Sequence, residues 1–267
     1  MTFKRKTICC QCRFFCLIIT SIFLGSCASL CEASLNQKKL SLTRHNAATV
    51  LGEPLTEFFQ KRTARVYILN SNLQTVRWEN GKIHLTFNAP LVQGESVSQF
   101  LAVPLSLPGY FLTSAHGFLD NTEHDKIWIV SRSNSDRYYG RAKVAWLSPK
   151  ADLALLYSNV RPKATIKISN LPPPVNSIVY LGGLRGGDSA GVVLSVTKQD
   201  NEFFLVKHTA PFVRGDSGGP LVNKHGCLVG INCFWVTTYT LFWPQYSCAA
   251  FFKKAWLHRK IEDLARK

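Results

Sequence analysis

Arg214-Gly215-Asp216-Ser217-Gly218-Gly219-Pro220-Leu221 is the stretch on which the reading of this chain turns. A serine hydroxyl works as a nucleophile when its Oγ is exposed and its backbone N–H, with that of Gly215, points to where charge develops on an attacked carbonyl. Glycines on both sides permit the backbone angles and the close substrate approach this requires. A glycine-rich turn with an incidental serine is the plainer reading, and two further segments weigh against it. Gly109-Tyr110-Phe111-Leu112-Thr113-Ser114-Ala115-His116 runs an apolar strand into small residues and then a histidine. A general base needs a near-neutral pKa and a fixed position, and a strand end bordering a cleft offers both. Ala151-Asp152-Leu153-Ala154-Leu155-Leu156 sets an acidic residue against four apolar ones. A carboxylate there needs a partner, and the N–H of a catalytic imidazole is one such partner. Alone, His116 reads as a structural histidine and Asp152 as a turn or strand-start residue. Together, in the order His, Asp, Ser, they read as parts of one nucleophilic site.

Outward from these segments the text is β-like. From about residue 59 to 250, short runs rich in β-branched and aromatic residues alternate with Gly, Pro, Asn and Asp. Examples are Ala64-Arg65-Val66-Tyr67-Ile68-Leu69, Lys126-Ile127-Trp128-Ile129-Val130, Ser177-Ile178-Val179-Tyr180-Leu181 and Gly191-Val192-Val193-Leu194-Ser195-Val196. This spacing predicts an all-β barrel or sandwich. Trp78-Glu79-Asn80-Gly81-Lys82-Ile83 reads as a hairpin with Asn-Gly in the turn. Residues 34–58 are polar and mixed, and read as an N-terminal arm. The exception to the β text is residues 253–267, where Leu257, Ile261 and Leu264 fall at i, i+4 and i+7 among Lys and Arg. That is an amphipathic helix closing against the barrel, with a membrane-surface role as the sharper alternative.

The first 33 residues stand apart. Lys4, Arg5, Lys6 and Arg13 precede an apolar run from Phe14 to Leu24, followed by Gly25-Ser26-Cys27. This is the layout of a secretory signal peptide, with an apolar run too short for an ordinary spanning helix. Two processing readings stand: cleavage after Ala33, or lipidation of Cys27 at the lipobox-like Leu24-Gly25-Ser26-Cys27, which would anchor the chain to a membrane. A buried N-terminal helix is the plainer alternative. Six cysteines (Cys9, Cys10, Cys12, Cys16, Cys27, Cys31) lie in this leader, and no second ligand pair of ordinary spacing supports a zinc site. Only Cys227, Cys233 and Cys248 remain beyond it, so the domain does not depend on a disulfide framework. The formal net charge is +16, which raises nucleic acid, anionic lipid or acidic polypeptides as partners. Lys and Arg are scattered, however, and no nucleic-acid-binding motif appears. Exported, periplasmic, membrane-anchored or secreted, the protein is expected outside the cytoplasm.

The three segments together resemble the trypsin-like serine peptidases, and in wording their HtrA/Deg-type branch. Gly109 to His116 is similar to that branch's G-Y-I-L-T-N-A-H. Ala142-Lys143-Val144, Gly191 to Val196 and Gly226-Cys227-Leu228-Val229-Gly230-Ile231-Asn232 resemble its strands around the acidic residue and the nucleophile. The likeness covers roughly residues 59 to 265. It implies two six-stranded antiparallel β-barrels of the chymotrypsin type, a C-terminal helix, and serine endopeptidase activity on proteins or peptides without metal or organic cofactor. It further implies His116 as general base, Asp152 as its orienting carboxylate and Ser217 as nucleophile. The N–H groups of Gly215, Asp216 and Ser217 would form the oxyanion hole, and Ile231, Asn232 and Cys233 would line the substrate strand and primary pocket.

The departures matter too. The family's G-S-G-F strand is replaced by Ser98-Gln99-Phe100-Leu101-Ala102-Val103, Gln74 to Glu95 looks like an inserted hairpin, and the PDZ domain usual in HtrA proteins is not expected. The position six before the nucleophile, acidic in trypsin-like specificity, is Pro211, so small or apolar side chains are the expected preference. By the resemblance, Cys233 and Cys248 flank the pocket on neighbouring strands, either paired or as buried thiols. The rival function is a catalytically silent protease-fold module that binds a protein, an anionic membrane or nucleic acid.

Overall fold

The computed structural model of the chain describes residues 49–69, 73–79, 82–87, 97–119, 127–185, 187–236 and 246–266. The leader, with Cys27 and both processing readings, lies outside the described residues.

Twelve strands close into two antiparallel barrels, as the family resemblance implies. The first takes β3 (Ala64–Leu69), β6 (Val97–Pro104), β7 (Tyr110–Thr113), β8 (Ile127–Ser131), β9 (Tyr139–Ser148) and β10 (Leu153–Ser158), in the order β10-β7-β6-β3-β8-β9. The second takes β11 (Ile178–Leu181), β12 (Ser189–Lys198), β13 (Phe203–His208), β14 (Pro220–Asn223), β15 (Leu228–Val236) and β16 (Tyr246–Phe252), in the order β11-β12-β13-β16-β15-β14. Two further strands, β4 (Leu73–Glu79) and β5 (Lys82–Phe87), pair only with each other, with Trp78 opposite Ile83. They are the hairpin expected around Asn80-Gly81.

Strand alternation sorts side chains between three apolar clusters. In β10, Ala154 and Leu156 point into the first barrel, while Leu153 and Leu155 point to the seam between the barrels. That is why four consecutive apolar residues follow Asp152: both faces of the strand are buried. The second barrel is filled by Val179, Leu181, Val193, Val206, Leu221 and Phe251, among others. The seam joins Val103, Leu112 and Leu153 of one barrel to Val222, Ile231 and Phe252 of the other.

Two helices cap the seam. Helix α2 (Lys254–Ala265) buries Leu257 and Ile261 and packs Leu264 at the edge. Its Trp256 sits edge-on to Trp146 of β9 at 5.0 Å and to Phe203 of β13 at 4.7 Å, so it straps one barrel to the other. The apolar face expected of this segment is thus spent on packing, not on a membrane surface. Helix α1 (Leu55–Arg62) departs from the reading of 34–58 as a polar arm. After a small hairpin of β1 (Thr49–Val50) and β2 (Glu53–Pro54), Leu55, Phe58 and Phe59 recur at i, i+3 and i+4 and are buried in the seam. Arg62 covers the Phe58 ring at 4.3 Å and pairs with Glu53 at 2.8 Å, while Thr63 leaves the helix in extended conformation. Three apolar residues in an otherwise polar stretch are too few to announce a helix. The cluster they join is built from distant strands.

Phe59 is fully buried, with its ring against Gly182. Phe59→Ala is expected to destabilise the domain by about 3–5 kcal/mol in urea unfolding, whereas Lys61→Ala on the exposed side of α1 should change it by less than about 0.5 kcal/mol.

Candidate active site

Asp152 precedes β10 in a turn, with φ of 48°, a left-handed conformation rare outside glycine and asparagine. That conformation points its carboxylate back at the end of β7. Oδ1 accepts the backbone N–H groups of Ala115 at 2.9 Å and His116 at 2.8 Å, and Oδ2 lies 2.9 Å from His116 Nδ1. Three donors on one carboxylate answer the burial problem that its apolar neighbours pose. With Nδ1–H assigned to Asp152 by this network, the unprotonated Nε2 of His116 faces the Ser217 hydroxyl at 3.0 Å. Side chains 36 and 101 residues apart in sequence therefore form one continuous hydrogen-bonded line across the seam.

The loop carrying Ser217 is held from several sides. Ser217 accepts the Leu101 N–H at its carbonyl (2.8 Å), which ties its loop to β6 of the opposite barrel. The Gly218 N–H donates to the Asn232 carbonyl at 2.8 Å, and both the backbone N–H and the side-chain amide of Asn232 donate to the Gly219 carbonyl, at 2.9 and 3.0 Å. Gly218 has φ of +76°, and a Cβ there would overlap the Leu101 carbonyl oxygen and Thr113 Oγ1. Gly215, at φ +103°, lies under the Arg185 side chain. Asp216 is fully buried. Its Oδ1 accepts the N–H groups of Leu184 (2.6 Å) and Arg185 (2.8 Å), and its Oδ2 that of Val213 (3.1 Å).

This geometry corrects part of the expected oxyanion hole. The Asp216 N–H donates to the Val213 carbonyl at 3.0 Å and is turned into the loop. Among the described residues the N–H groups of Gly215 and Ser217 have no such backbone partner, which leaves these two as the candidate donors.

The expected pocket residues also fall differently. Ile231 and Asn232 are fully buried, and Cys233 and Cys248 nearly so, so their side chains line no open cleft. Ile231 and Cys233, two residues apart on β15, both face the seam, and the register of β15 against β16 shifts between Asn232 and Phe234. Cys233 Sγ lies 3.1 Å from the Ile231 carbonyl and 3.7 Å from the Asp152 carbonyl. Cys227, Cys233 and Cys248 are free thiols. Burial first, then the nearby Asp152 charge, pushes the Cys233 thiol well up, and burial pushes Cys248 up to about 11. Both stay protonated at neutral pH and are poor nucleophiles. Pro211 is exposed, and its carbonyl accepts the Ser189 hydroxyl at 3.1 Å. Val213, four residues before Ser217, and Phe234, just past the register shift of β15, are exposed apolar side chains, 41% and 42% exposed.

Part of the chain is similar to known proteins: residues 102–231 match the trypsin-like peptidase domain. The chain is 30% identical over 152 residues, 54% of its own length, to a probable periplasmic serine endoprotease DegP-like from Marinomonas sp. (strain MWYL1). It is 31% identical over 136 residues, 48% of its length, to the protein of the same description from Pseudomonas fulva (strain 12-X). The matched region spans only 31% and 27% of those relatives. Among solved structures, the HtrA-type protease AlgW with a decapeptide superposes with a TM-score of 0.56 at 18% identity, over 79% of this chain and 66% of that one. The active form of the Rv3671c protease from M. tuberculosis gives 0.54 at 16% identity, over 79% of this chain and 84% of that one. At these identities the superpositions carry the double-barrel fold and nothing finer.

Behind the Ser217 loop, the fully buried His208 donates from Nε2 to Asn232 Oδ1 at 3.1 Å, and its Nδ1 has no partner among the described residues. Burial depresses its pKa to about 4, against the pull of the Asn232 hydrogen bond. A depressed folded-state pKa means the associated stability is complete above the unfolded value near 6.5 and is lost as pH falls through about 4. Urea unfolding of the wild type should lose on the order of 3 kcal/mol across that window, and His208→Gln should remove this slope. Independently, Gly218→Ala should abolish folding of the Ser217 loop or the whole domain, read by circular dichroism and proteolysis.

Proposed function

We propose that this protein is a serine endopeptidase in which His116, Asp152 and Ser217 form the catalytic triad. The observation that carries the reading is the unbroken line Asp152 Oδ2–His116 Nδ1 (2.9 Å) and His116 Nε2–Ser217 Oγ (3.0 Å). His116 Nε2 takes the hydroxyl proton as Ser217 Oγ bonds to the scissile carbonyl carbon. The carbonyl π pair moves onto oxygen, and the N–H groups of Gly215 and Ser217 stabilise that oxyanion. His116 then returns the proton to the leaving amine, the C–N bond breaks, and a Ser217 ester remains. Water, deprotonated by His116, hydrolyses the ester and restores the hydroxyl. Asp152 keeps its charge throughout, fixing the imidazole tautomer and balancing the imidazolium.

Substrates are proteins or peptides. With Pro211 where trypsin-like enzymes carry a carboxylate, small or apolar side chains are preferred at the cleaved bond. The basic, apolar and small-residue sequence of 1–33 supports export through a signal peptide, with Cys27 as the residue for a lipid anchor where the lipobox reading holds. The periplasmic description of the relatives agrees with export.

A fluorophosphonate probe, read by intact mass on protein from residue 34 onward, tests the assembly. The wild type should gain one adduct, Ser217→Ala none, and His116→Ala should label slower by about 10⁴-fold. Folded wild type that takes no adduct would overturn the peptidase reading in favour of a silent binding module.

A further inference from the structure

Below the Ser217 loop lies a buried charge cluster that the chemistry above does not use. Asp188 opens the turn into β12 and is almost wholly buried, as is the guanidinium of Arg132 just beyond β8. Arg132 Nη2 stands 3.8 Å from Asp188 Oδ1, and Arg132 Nη1 donates to Thr63 Oγ1 at the end of α1 at 3.1 Å. At the other end of α1, Thr56 lies close enough to the Asp188 carboxylate to favour its charged form. Asp188 Oδ1 also accepts the Gly183 N–H at 3.1 Å. The next two N–H groups along the chain, Leu184 and Arg185, are the ones that hold Asp216 Oδ1. A Cβ on Gly183 would sit 3.3 Å from the Asp216 carboxyl carbon, so the two loops are in contact here.

We propose that Asp188, held between Arg132 and the first turn of α1, is a positioning residue for the oxyanion loop. It fixes the Gly183–Arg185 backbone that anchors Asp216, and through Asp216 the N–H of Ser217. The proposal rests on the peptidase reading for its catalytic consequence, but its structural content stands on the contacts alone. Three consecutive N–H groups, Gly183, Leu184 and Arg185, are shared between the two carboxylates, one to Asp188 and two to Asp216. Neither carboxylate can shift without dragging the segment that serves the other. Helix α1 enters because Thr63 at its end is bonded to Arg132, Thr56 in its first turn faces Asp188, and Phe59 packs on Gly182, the residue before the shared segment.

The electrostatics agree. Burial pushes the Asp188 carboxyl up to about 6, and the nearby Asp216 charge pushes the same way. Arg132, the Gly183 N–H and the Thr56 hydroxyl oppose this and keep it ionised at neutral pH. Arg132 in turn faces Arg65, Asp188 and Asp216. Without Asp188 the guanidinium would be drawn to Asp216, competing with the N–H groups of Leu184 and Arg185 for the same carboxylate.

The test pairs amide hydrogen exchange with kinetics on the exported chain from residue 34, using wild type, Asp188→Ala, Asp188→Asn and the milder Thr56→Val. Exchange should accelerate in Asp188→Ala within 182–188 and 213–217 and stay unchanged in the first barrel away from Arg132. With a peptide ester substrate, kcat should fall by about 100-fold at little-changed KM, as expected when an oxyanion donor is displaced. Affinity for a peptide boronate should fall by a similar factor. Asp188→Asn, which keeps an acceptor for the Gly183 N–H, should recover part of each loss. Should Asp188→Ala fail to fold, Thr56→Val carries the same test with smaller changes in the same segments. Exchange and kcat unchanged in folded variants, or a lowered unfolding temperature with kcat and boronate affinity intact, would overturn the proposal. A wild type inactive toward ester and boronate, whose variants still loosen in 213–217, would instead sink the peptidase reading and leave the positioning role standing.

Discussion

The hydrogen bond from the Leu101 N–H to the Ser217 carbonyl, 2.8 Å long, is where the two barrels become one site. Asp152 and His116 belong to the first barrel, and Ser217 enters from the loop before β14 of the second. A catalytic contact of about 3 Å across such a boundary tolerates little play, since an error of about 1 Å can cost two orders of magnitude in rate. Around this bond the surfaces are packed so that nothing larger than hydrogen fits at Gly218, with the Leu101 carbonyl and Thr113 Oγ1 directly against it. Thr113 Oγ1 donates to that same Leu101 carbonyl at 2.6 Å, and it lies three residues before His116. The junction therefore places His116 and Ser217 together.

Much of the candidate site was legible in the sequence because its chemistry restricts residue type locally. Glycines at 215 and 218 are needed where φ is positive, and Ser217 lies between them. His116 follows a strand end, and Asp152 stands where a turn meets a strand buried on both faces. Helix α2 was legible because its period is plain and its face is long. What could not be read depends on long-range placement. Ile231, Asn232 and Cys233 were placed at the substrate strand and pocket by family resemblance, but their side chains are buried, and the exposed side chain next along β15 is Phe234, beyond a register shift. Likewise Asp216 donates its N–H into its own loop, a detail of turn geometry that Gly-Asp-Ser spells no differently.

The interior around the site is more polar than its strand text suggests, and several of its buried polar groups hold the Ser217 loop. Asn232 clamps Gly218 and Gly219 and receives His208 behind them. Asp216 gathers the backbone N–H groups of Leu184, Arg185 and Val213 among the described residues, and Asp188 links the segment bearing two of them to Arg132. Such networks cost desolvation and are worth keeping mainly where they fix one geometry. Here that geometry is the direction of the Ser217 N–H and hydroxyl.

The most direct measurement is the release of new α-amino groups from an unfolded protein substrate, compared between the wild type, Ser217→Ala and His116→Ala. Steady release by the wild type, with both variants at the level of buffer, is the result expected of a triad assembled across the barrel seam. Equal release by the variants, or none by a wild type whose Ser217 accepts a fluorophosphonate, would contradict it.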